Sequence, residues 1–190
     1  MKVAVIGGIG SGKSTLCRML REMGKTVLDC DRIYGEVCRQ PDYIRAIEQT
    51  FGTVQGGEID RRALAKLVFS DAENMQQLNA LAHPRVRALL EQKTQGLQEC
   101  YVEVSAYYGS GLEGWFDYVI YADCPDDVRV RRVMQRGLSE QEATRRVQAQ
   151  TDAATLRACA DAVIDTSISE EQTRALLITL VRDIDKSHQS

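Results

Sequence analysis

The feature that most constrains this sequence is an eight-residue glycine-rich run near its start. Gly7-Gly8-Ile9-Gly10-Ser11-Gly12-Lys13-Ser14 fits the pattern G-x-x-x-x-G-K-[ST] at every fixed position. It follows an apolar stretch, Lys2 to Ile6, that predicts a strand, and it opens a predicted helix, Ser14 to Met23. A chain with this run must bring a strand and a helix together at a tight loop, which is the context that the pattern requires.

The residue types in this run suit a polyphosphate. Glycines let the backbone turn its N–H groups inward and place no Cβ in the way of the anion, and the helix start adds the positive end of its dipole. Lys13 is expected to reach the β- and γ-phosphates, and Ser14 to bind Mg²⁺ through its hydroxyl. We therefore predict a nucleoside triphosphate site made by Gly8, Ile9, Gly10, Ser11, Gly12, Lys13, Ser14 and Thr15.

Short, continuously apolar runs recur along the chain and predict strands that are covered on both faces. These runs are Lys2 to Ile6, Thr26 to Leu28, Tyr101 to Val104, Tyr118 to Ala122 and Ala162 to Ile164. Helical patterns separate them. Three helices are predicted to begin at capping boxes that start with Ser70, Ser139 and Ser169, and another at His83-Pro84, with the proline in the first turn. The predicted fold class is α/β, with a five-stranded parallel sheet flanked by helices.

The strands are unevenly spaced, and a long stretch separates the second from the third. This stretch is predicted to be almost entirely helical, with a turn near Gly52 to Gly57. We expect a single domain over residues 1–190, with a nucleotide-binding core that consists of residues 1–30, 100–136 and 159–190. Residues 31–99 are predicted to form a helical substrate-binding insertion on this core. The arginine-rich residues 137–158 are predicted to form a lid that closes over a triphosphate and excludes water.

Composition narrows the possible partners. The 190 residues carry 24 Lys plus Arg against 27 Asp plus Glu, for a net charge of -3, which gives no overall attraction to nucleic acid. No run approaches the roughly 20 apolar residues of a membrane span. The 6 cysteines form no C-x-x-C pair, and with 2 histidines they offer no zinc spacing. We expect a cytoplasmic protein, a monomer or weak oligomer, that binds neither nucleic acid nor membrane.

Charged side chains around the predicted sheet edge distinguish the classes of protein that use such a loop. Asp29 and Asp31 follow the second strand, where a carboxylate either accepts the proton of an attacking hydroxyl or caps the next helix. Arg132 and Arg136 share one helix face, and arginines suit both base stacking and phosphate clamping.

An N-K-x-D motif is absent, which argues against a GTPase. A kinase for a small molecule and a hydrolysing switch or motor remain.

An ordered set of motifs over nearly the whole chain resembles the dephospho-CoA kinase family. Besides the phosphate loop, the segments similar to that family are Val27 to Asp31, Phe51-Gly52, Asp60 to Leu64 with Val68-Phe69, His83 to Arg87, Gly137 to Ser139, Arg146 to Gln150 with Arg157, and Ala160 to Asp165. The resemblance implies a P-loop kinase fold. It also implies ATP-dependent phosphorylation of the ribose 3′-hydroxyl of dephospho-CoA, giving CoA and ADP, with Mg²⁺.

The resemblance also implies a role for particular residues. Asp31 is the expected base, while Lys13 and Arg146 stabilise the transferring phosphoryl group. Arg132 and Arg136 are expected near the ATP base. His83 and Arg87 are expected to face dephospho-CoA, although His83 equally fits a purely structural role at a helix start.

The chain departs from the family pattern after the third predicted strand. Where the family usually reads V-P-L-L-F-E, this chain has Val104 to Gly109, without the proline or the glutamate. Glu103, just before, is a candidate Mg²⁺ ligand through water. Thr166 stands where the family has Asn, and Ile6 where it often has Thr. Two alternatives therefore stay open: a related kinase for another nucleotide-like or small hydroxyl acceptor, and a nucleotide-binding module that transfers nothing.

Overall fold

The computed structural model describes residues 1–188 of the chain. In chain order the elements are β1 (Lys2–Ile6), α1 (Lys13–Glu22), β2 (Val27–Asp29), α2 (Cys30–Val37), α3 (Pro41–Phe51), β3 (Val54–Gln55), β4 (Glu58–Ile59), α4 (Arg61–Ser70), α5 (Ala72–Thr94), β5 (Cys100–Val104), β6 (Tyr118–Asp123), α6 (Asp126–Met134), α7 (Glu140–Gln148), α8 (Ala153–Ala158), β7 (Ala162–Asp165) and α9 (Glu170–His188). Within residues 1–188, no helix is both long enough and apolar enough to cross a membrane.

The chain divides into two compact units. The sheet unit consists of Met1–Asp29, Leu97–Gly109 and the chain from Glu113 onward, and the helical unit consists of Cys30–Gly96 with Ser110–Leu112. The sheet unit contains one five-stranded sheet in the order β2-β5-β1-β6-β7, and every neighbouring pair in it is parallel. The predicted α/β class and the five-stranded parallel sheet are thereby confirmed.

The core of the sheet unit explains why its strands read as continuous apolar runs. β1 is almost wholly buried because α1 and α9 pack against the sheet. The side chains that form this core include Val3, Val5, Leu16, Met19, Leu20, Tyr101, Ile120, Leu177, Val181 and Ile184. β1 lies between β5 and β6, with Ile6 opposite both Val104 and Tyr121. The loop after β1 therefore leaves the sheet at its centre, among the carboxyl ends of its neighbours.

The helical unit contains α2 to α5 and one short hairpin. β3 and β4 pair with Val54 opposite Ile59, so that Gly56 and Gly57 form a two-residue turn. Both glycines have positive φ, 61° and 84°, which a tight hairpin turn of this length requires and which glycine adopts at little cost. The sequence predicted a turn here within an otherwise helical stretch, and the paired strands on either side of it were missed.

The predicted helix start at His83-Pro84 was wrong, because α5 runs unbroken from Ala72 to Thr94 with Pro84 inside it. A proline in a helix interior removes one hydrogen bond and crowds the preceding turn. Here one face of the helix, with Ala82, Val86 and Leu90 buried, continues through the proline, and α5 packs against α2, α3 and α4. This packing outweighs the local preference to start a helix at that point.

The predicted capping box at Ser70 was also wrong, whereas the helix start at Ser139 and the capping box at Ser169 were confirmed. Ser70 ends α4, and the side chain of Asp71 caps α5 by accepting the N–H of Glu73 at 2.8 Å. Ser139 accepts the N–H of Glu142, and Ser169 and Gln172 bond each other reciprocally. Both Ser70 and Asp71 can cap a helix, and sequence spacing alone does not choose between neighbours.

Replacing Pro84 with alanine is expected to stabilise the protein. Alanine restores the missing N–H in α5, and its helix preference outweighs the extra freedom of the unfolded chain, for a net gain of about 2 kcal/mol in the free energy of unfolding. Pro41→Ala is the matched control, because Pro41 occupies the first turn of α3, where no hydrogen bond is lost. That variant should lose about 0.4–1 kcal/mol. Urea unfolding of both variants checks the pair, and equal effects would contradict the explanation.

Candidate active site

The phosphate loop, Gly7 to Ser14, connects β1 to α1 and shows why this run needs glycine. Gly12 occupies the N-cap position of α1 with φ 89°, so no side-chain cap competes for the N–H groups of the first helical turn. A Cβ on Gly10, where φ is 76°, would lie 2.7 Å from the carbonyl oxygen of Arg129. The loop therefore lies directly on α6, and the start of α1 is open to an anion.

Two side chains fasten the loop to the end of the sheet. Arg132 on α6 donates to the carbonyl oxygen of Gly10 at 3.2 Å and to that of Thr166 at 2.6 Å. The hydroxyl of Thr166 contacts the carbonyl oxygens of Ser11 and of Asp123, the latter at 3.0 Å. Thr166, which the sequence marked as a departure from the family pattern, thus bridges the loop and the carboxyl end of β6.

A cavity lies beside the loop on the Arg132 side. It has a volume of about 280 Å³ and is lined by Gly10, Gly12, Thr15, Arg132, Gln135, Arg136, Thr166, Ile168, Glu170 and Thr173. Arg132 and Arg136, which the sequence placed on one helix face, both line it. The cavity adjoins a loop suited to phosphates and has one wall of arginine, so it can accept the base and sugar of a nucleotide.

A hydroxyl and a carboxylate meet at the start of α1. The Ser14 hydroxyl donates to Oε1 of Glu103 on β5 at 2.7 Å. One turn along α1, burial and the nearby Glu103 carboxylate raise the pKa of the Cys17 thiol well above its usual range, so this thiol stays protonated. Ser14 and Glu103, both predicted as Mg²⁺ ligands, therefore lie together as a pair of oxygen donors.

Lys13 and Arg146 differ in their surroundings. Lys13 is 8% exposed at the start of α1. Arg146, on α7, pairs with Glu142 at 2.6 Å, and both side chains are about half exposed. An exposed pair of this kind within one helix contributes about 0.3–0.5 kcal/mol, so a stronger anion can take Arg146 from Glu142.

The predicted acceptor residues lie in the helical unit. Asp31 is exposed in the first turn of α2, two residues after Asp29 at the end of β2. His83 and Arg87 are one turn apart on the same face of α5. The His83 ring packs close to Gly111, and Arg87 donates to Glu91 at 3.0 Å.

Arg129 was not predicted as a functional residue, and Gln150 was predicted only as part of the family resemblance. Arg129 is 6% exposed, and its guanidinium contacts Ile9, Asp126 and Gln150. Its position in a run of arginines gave no signal that it alone is buried. Gln150 lies just past α7 and accepts the N–H of Ile9 at 2.6 Å.

A phosphate loop at the centre of a parallel sheet, with a hydroxyl–carboxylate pair at its helix and a cavity beside it, defines a P-loop nucleotide-binding protein. A family model described as CoaE, dephospho-CoA kinase, matches residues 1–172. The chain therefore belongs to the dephospho-CoA kinase family.

Individual relatives agree with this assignment. The dephospho-CoA kinase of Geobacillus kaustophilus is 36% identical over an alignment 195 residues long, and the alignment covers 97% of each chain. A solved Thermus thermophilus structure has a TM-score of 0.84 and 36% identity, and the match covers 96% of this chain and 97% of that one. Dephospho-CoA kinase from Campylobacter jejuni has a TM-score of 0.73 and 26% identity, and the match covers 98% and 99%. The similarity therefore extends through both the sheet and the helical units.

Proposed function

We propose that the protein transfers the γ-phosphoryl group of ATP to the ribose 3′-hydroxyl of dephospho-CoA, forming CoA and ADP in the final step of CoA synthesis. The observation that carries this proposal is the glycine-rich loop seated between β1 and α1, in a chain of the dephospho-CoA kinase family. ATP is the co-substrate that a kinase of this family implies. The other side chains of the site each have a role in this transfer.

We assign the triphosphate to the loop residues Gly8 to Thr15 and the adenosine to the 280 Å³ cavity beside them. Arg132 and Arg136 form the cavity wall against which a base can stack. Lys13 neutralises charge that develops on the transferring group. Arg146 gives up its weak pair with Glu142 to do the same, and the N–H groups of the loop hold the phosphates in line.

The donors at the start of α1 fit Mg²⁺, which prefers oxygen ligands and retains several waters. Ser14 would bind the ion directly, and Glu103 would hold it through a water molecule; when bound, the ion neutralises charge on the β- and γ-phosphates. In residues 1–188, no group of three or more His, Cys, Asp or Glu side chains could hold a metal ion.

Removing the charge of Glu103 is expected to weaken Mg²⁺ binding. Glu103→Gln still accepts the Ser14 hydroxyl but loses the negative charge, so the Mg²⁺ concentration for half-maximal activity should rise about tenfold. The rate at saturating Mg²⁺ should change much less. Phosphoryl transfer measured against free Mg²⁺ checks this, with Glu171→Gln, an exposed carboxylate on α9, as the control. An unchanged Mg²⁺ dependence would exclude Glu103 from the site.

We assign the acceptor to the helical insertion, residues 31–99, with His83 and Arg87 contacting dephospho-CoA. Asp31 takes the proton of the 3′-hydroxyl as the oxygen bonds to the γ-phosphorus and ADP leaves. Residues 137–158 act as the lid that excludes water, and residues 1–30, 100–136 and 159–190 form the nucleotide-binding core of one domain. We also propose that the protein works in the cytoplasm, where ATP is available, as a monomer or weak oligomer.

One observation favours an acceptor other than dephospho-CoA. Residues 105 to 109 depart from the family pattern, and the chain there turns through Gly109 and Gly111 with φ of 77° and 70°. A different loop at this position can select another nucleotide-like or small hydroxyl compound. The same phosphate machinery would then serve a different acceptor.

Mass spectrometry of the products formed from Mg-ATP and dephospho-CoA tests the proposal. The expected result is one phosphoryl group gained by dephospho-CoA, with an equal amount of ADP. ADP formed without CoA would mean that water took the phosphoryl group, which would indicate either a P-loop ATPase or a kinase whose altered loop takes another acceptor. ATP binding with neither product would favour a nucleotide-binding module that transfers nothing.

A further inference from the structure

We infer that Arg129 and Gln150 are positioning residues that hold the phosphate loop and couple it to the segment that carries Arg146. This inference rests on the proposed function for its kinetic consequence, while its structural part concerns the sheet unit alone. It assigns a role to two side chains outside the triphosphate, metal and acceptor groups described above.

Arg129 is a buried charge whose three nitrogens are all engaged. Nη1 pairs with Asp126 at 2.8 Å, Nε donates to the carbonyl oxygen of Ile9 at 3.1 Å, and Nη2 donates to Oε1 of Gln150 at 2.8 Å. Burying an arginine is costly unless its charge and its donors are satisfied. Since two of the three bonds lead out of α6, the guanidinium holds other segments rather than its own helix.

Gln150 is the second side chain that holds Ile9. Its Oε1 accepts from the N–H of Ile9 at 2.6 Å as well as from Arg129. Both neighbours are donors, so an acceptor at this position is required. Ile9 is therefore held by both of its backbone polar groups, the N–H through Gln150 and the C=O through Arg129.

The position of Ile9 explains what these bonds achieve. It stands between Gly8 and Gly10, which have the widest backbone freedom of any residue. A Cβ on Gly8 would lie 2.1 Å from Nη2 of Arg129 and 2.5 Å from Oε1 of Gln150, so a side chain at this position would have to push these groups away from their present places beside the loop. The two side chains thus supply the rigidity that the glycines lack, and a loop fixed in advance binds phosphates without first being ordered.

The same contact connects the loop to the predicted lid. Gln150 lies two residues past α7 and four residues past Arg146. A hydrogen bond from Ile9 to Gln150 therefore fixes the end of the segment on which Arg146 is carried. Loss of this bond should loosen both the loop and the 137–158 segment.

The test compares Gln150→Met, which has similar length but no acceptor, with Gln150→Glu, which retains an acceptor oxygen. In ligand-free protein, amide exchange at Ile9 and in residues 137–158 should accelerate about tenfold in Gln150→Met and return to the wild-type rate in Gln150→Glu. Gln150→Met should also lower kcat and raise KM for ATP, each about tenfold, with KM for dephospho-CoA unchanged. Gln148→Met, an exposed glutamine at the end of α7, is the control.

Unchanged exchange at Ile9 in Gln150→Met, or a failure of Gln150→Glu to restore protection, would overturn the inference. If Gln150→Met does not fold, Arg129→Lys decides, because lysine keeps the charge but cannot reach three partners with a planar fork. Its exchange should accelerate at Ile9, whereas the exposed Arg131→Lys on the same helix should match wild type. The exchange measurements need no acceptor, so they remain decisive even if dephospho-CoA is not the substrate.

Discussion

Lys13→Ala is expected to reduce phosphoryl transfer by about 10²–10³-fold, as when one preorganised stabilising donor is removed from the reacting group. Lys13 is 8% exposed at the start of α1, so its ammonium acts where water screens it little. Its charge also attracts the phosphates of the bound substrate. Affinity for ATP should therefore fall by about tenfold, a smaller loss than that in rate.

Steady-state kinetics with Mg-ATP and dephospho-CoA, together with a direct ATP-binding titration, separate these two effects. Lys13→Arg keeps a positive charge but places a larger planar group in a closed space, so it should remain strongly impaired. Lys66→Ala, an exposed lysine on α4, should behave as wild type. Transfer by Lys13→Ala within tenfold of wild type would show that the loop is not where the reacting phosphate binds.

The sheet and the phosphate loop were predictable because their signals are local. Strands covered on both faces read as continuous apolar runs, and the five predicted runs agree with β1, β2, β5, β6 and β7 to within one residue at each end. The loop pattern carries its own structural context, a strand before it and a helix after it. These features are determined by residues that are close together in the sequence.

Two of the errors arose where distant packing decides the structure. Pro84 reads as a helix start, yet the buried face formed by Ala82, Val86 and Leu90 carries α5 through it. The role of Arg129 depends on Ile9, 120 residues away, and on Gln150, 21 residues away. No pattern of neighbouring residues reports such contacts, so the sequence could not distinguish Arg129 from the more exposed arginines near it.

The roles of Asp31, His83 and Arg87 were reached differently, through resemblance rather than spacing. Carboxylates after a strand are equally suited to capping a helix, and Asp31 does lie in the first turn of α2. A carboxylate in this position can therefore cap the helix or act as the general base. Only a substitution that changes proton acceptance while preserving shape separates the two.

Asp31→Asn is that substitution, and it is expected to lower kcat by 10²–10⁴-fold, the usual contribution of a positioned general base. Asparagine has the same shape and keeps an oxygen that can orient the 3′-hydroxyl, but it cannot take up the proton. ATP binds elsewhere in the proposed scheme, so KM for ATP should stay within about threefold of wild type. The free energy of unfolding should change little, because Asp31 is exposed.

Two further variants make the result interpretable. Glu36→Gln removes an exposed carboxylate from the same helix, one that pairs with Lys93 at 2.9 Å, and should retain full activity. Asp29→Asn asks whether the carboxylate at the end of β2 is the base instead. If Asp31→Asn transfers phosphate at a near-normal rate and Asp29→Asn does not, the base has been assigned to the wrong member of the pair. If neither substitution slows a measurable transfer, neither carboxylate takes the proton, and attack depends on positioning and charge stabilisation alone.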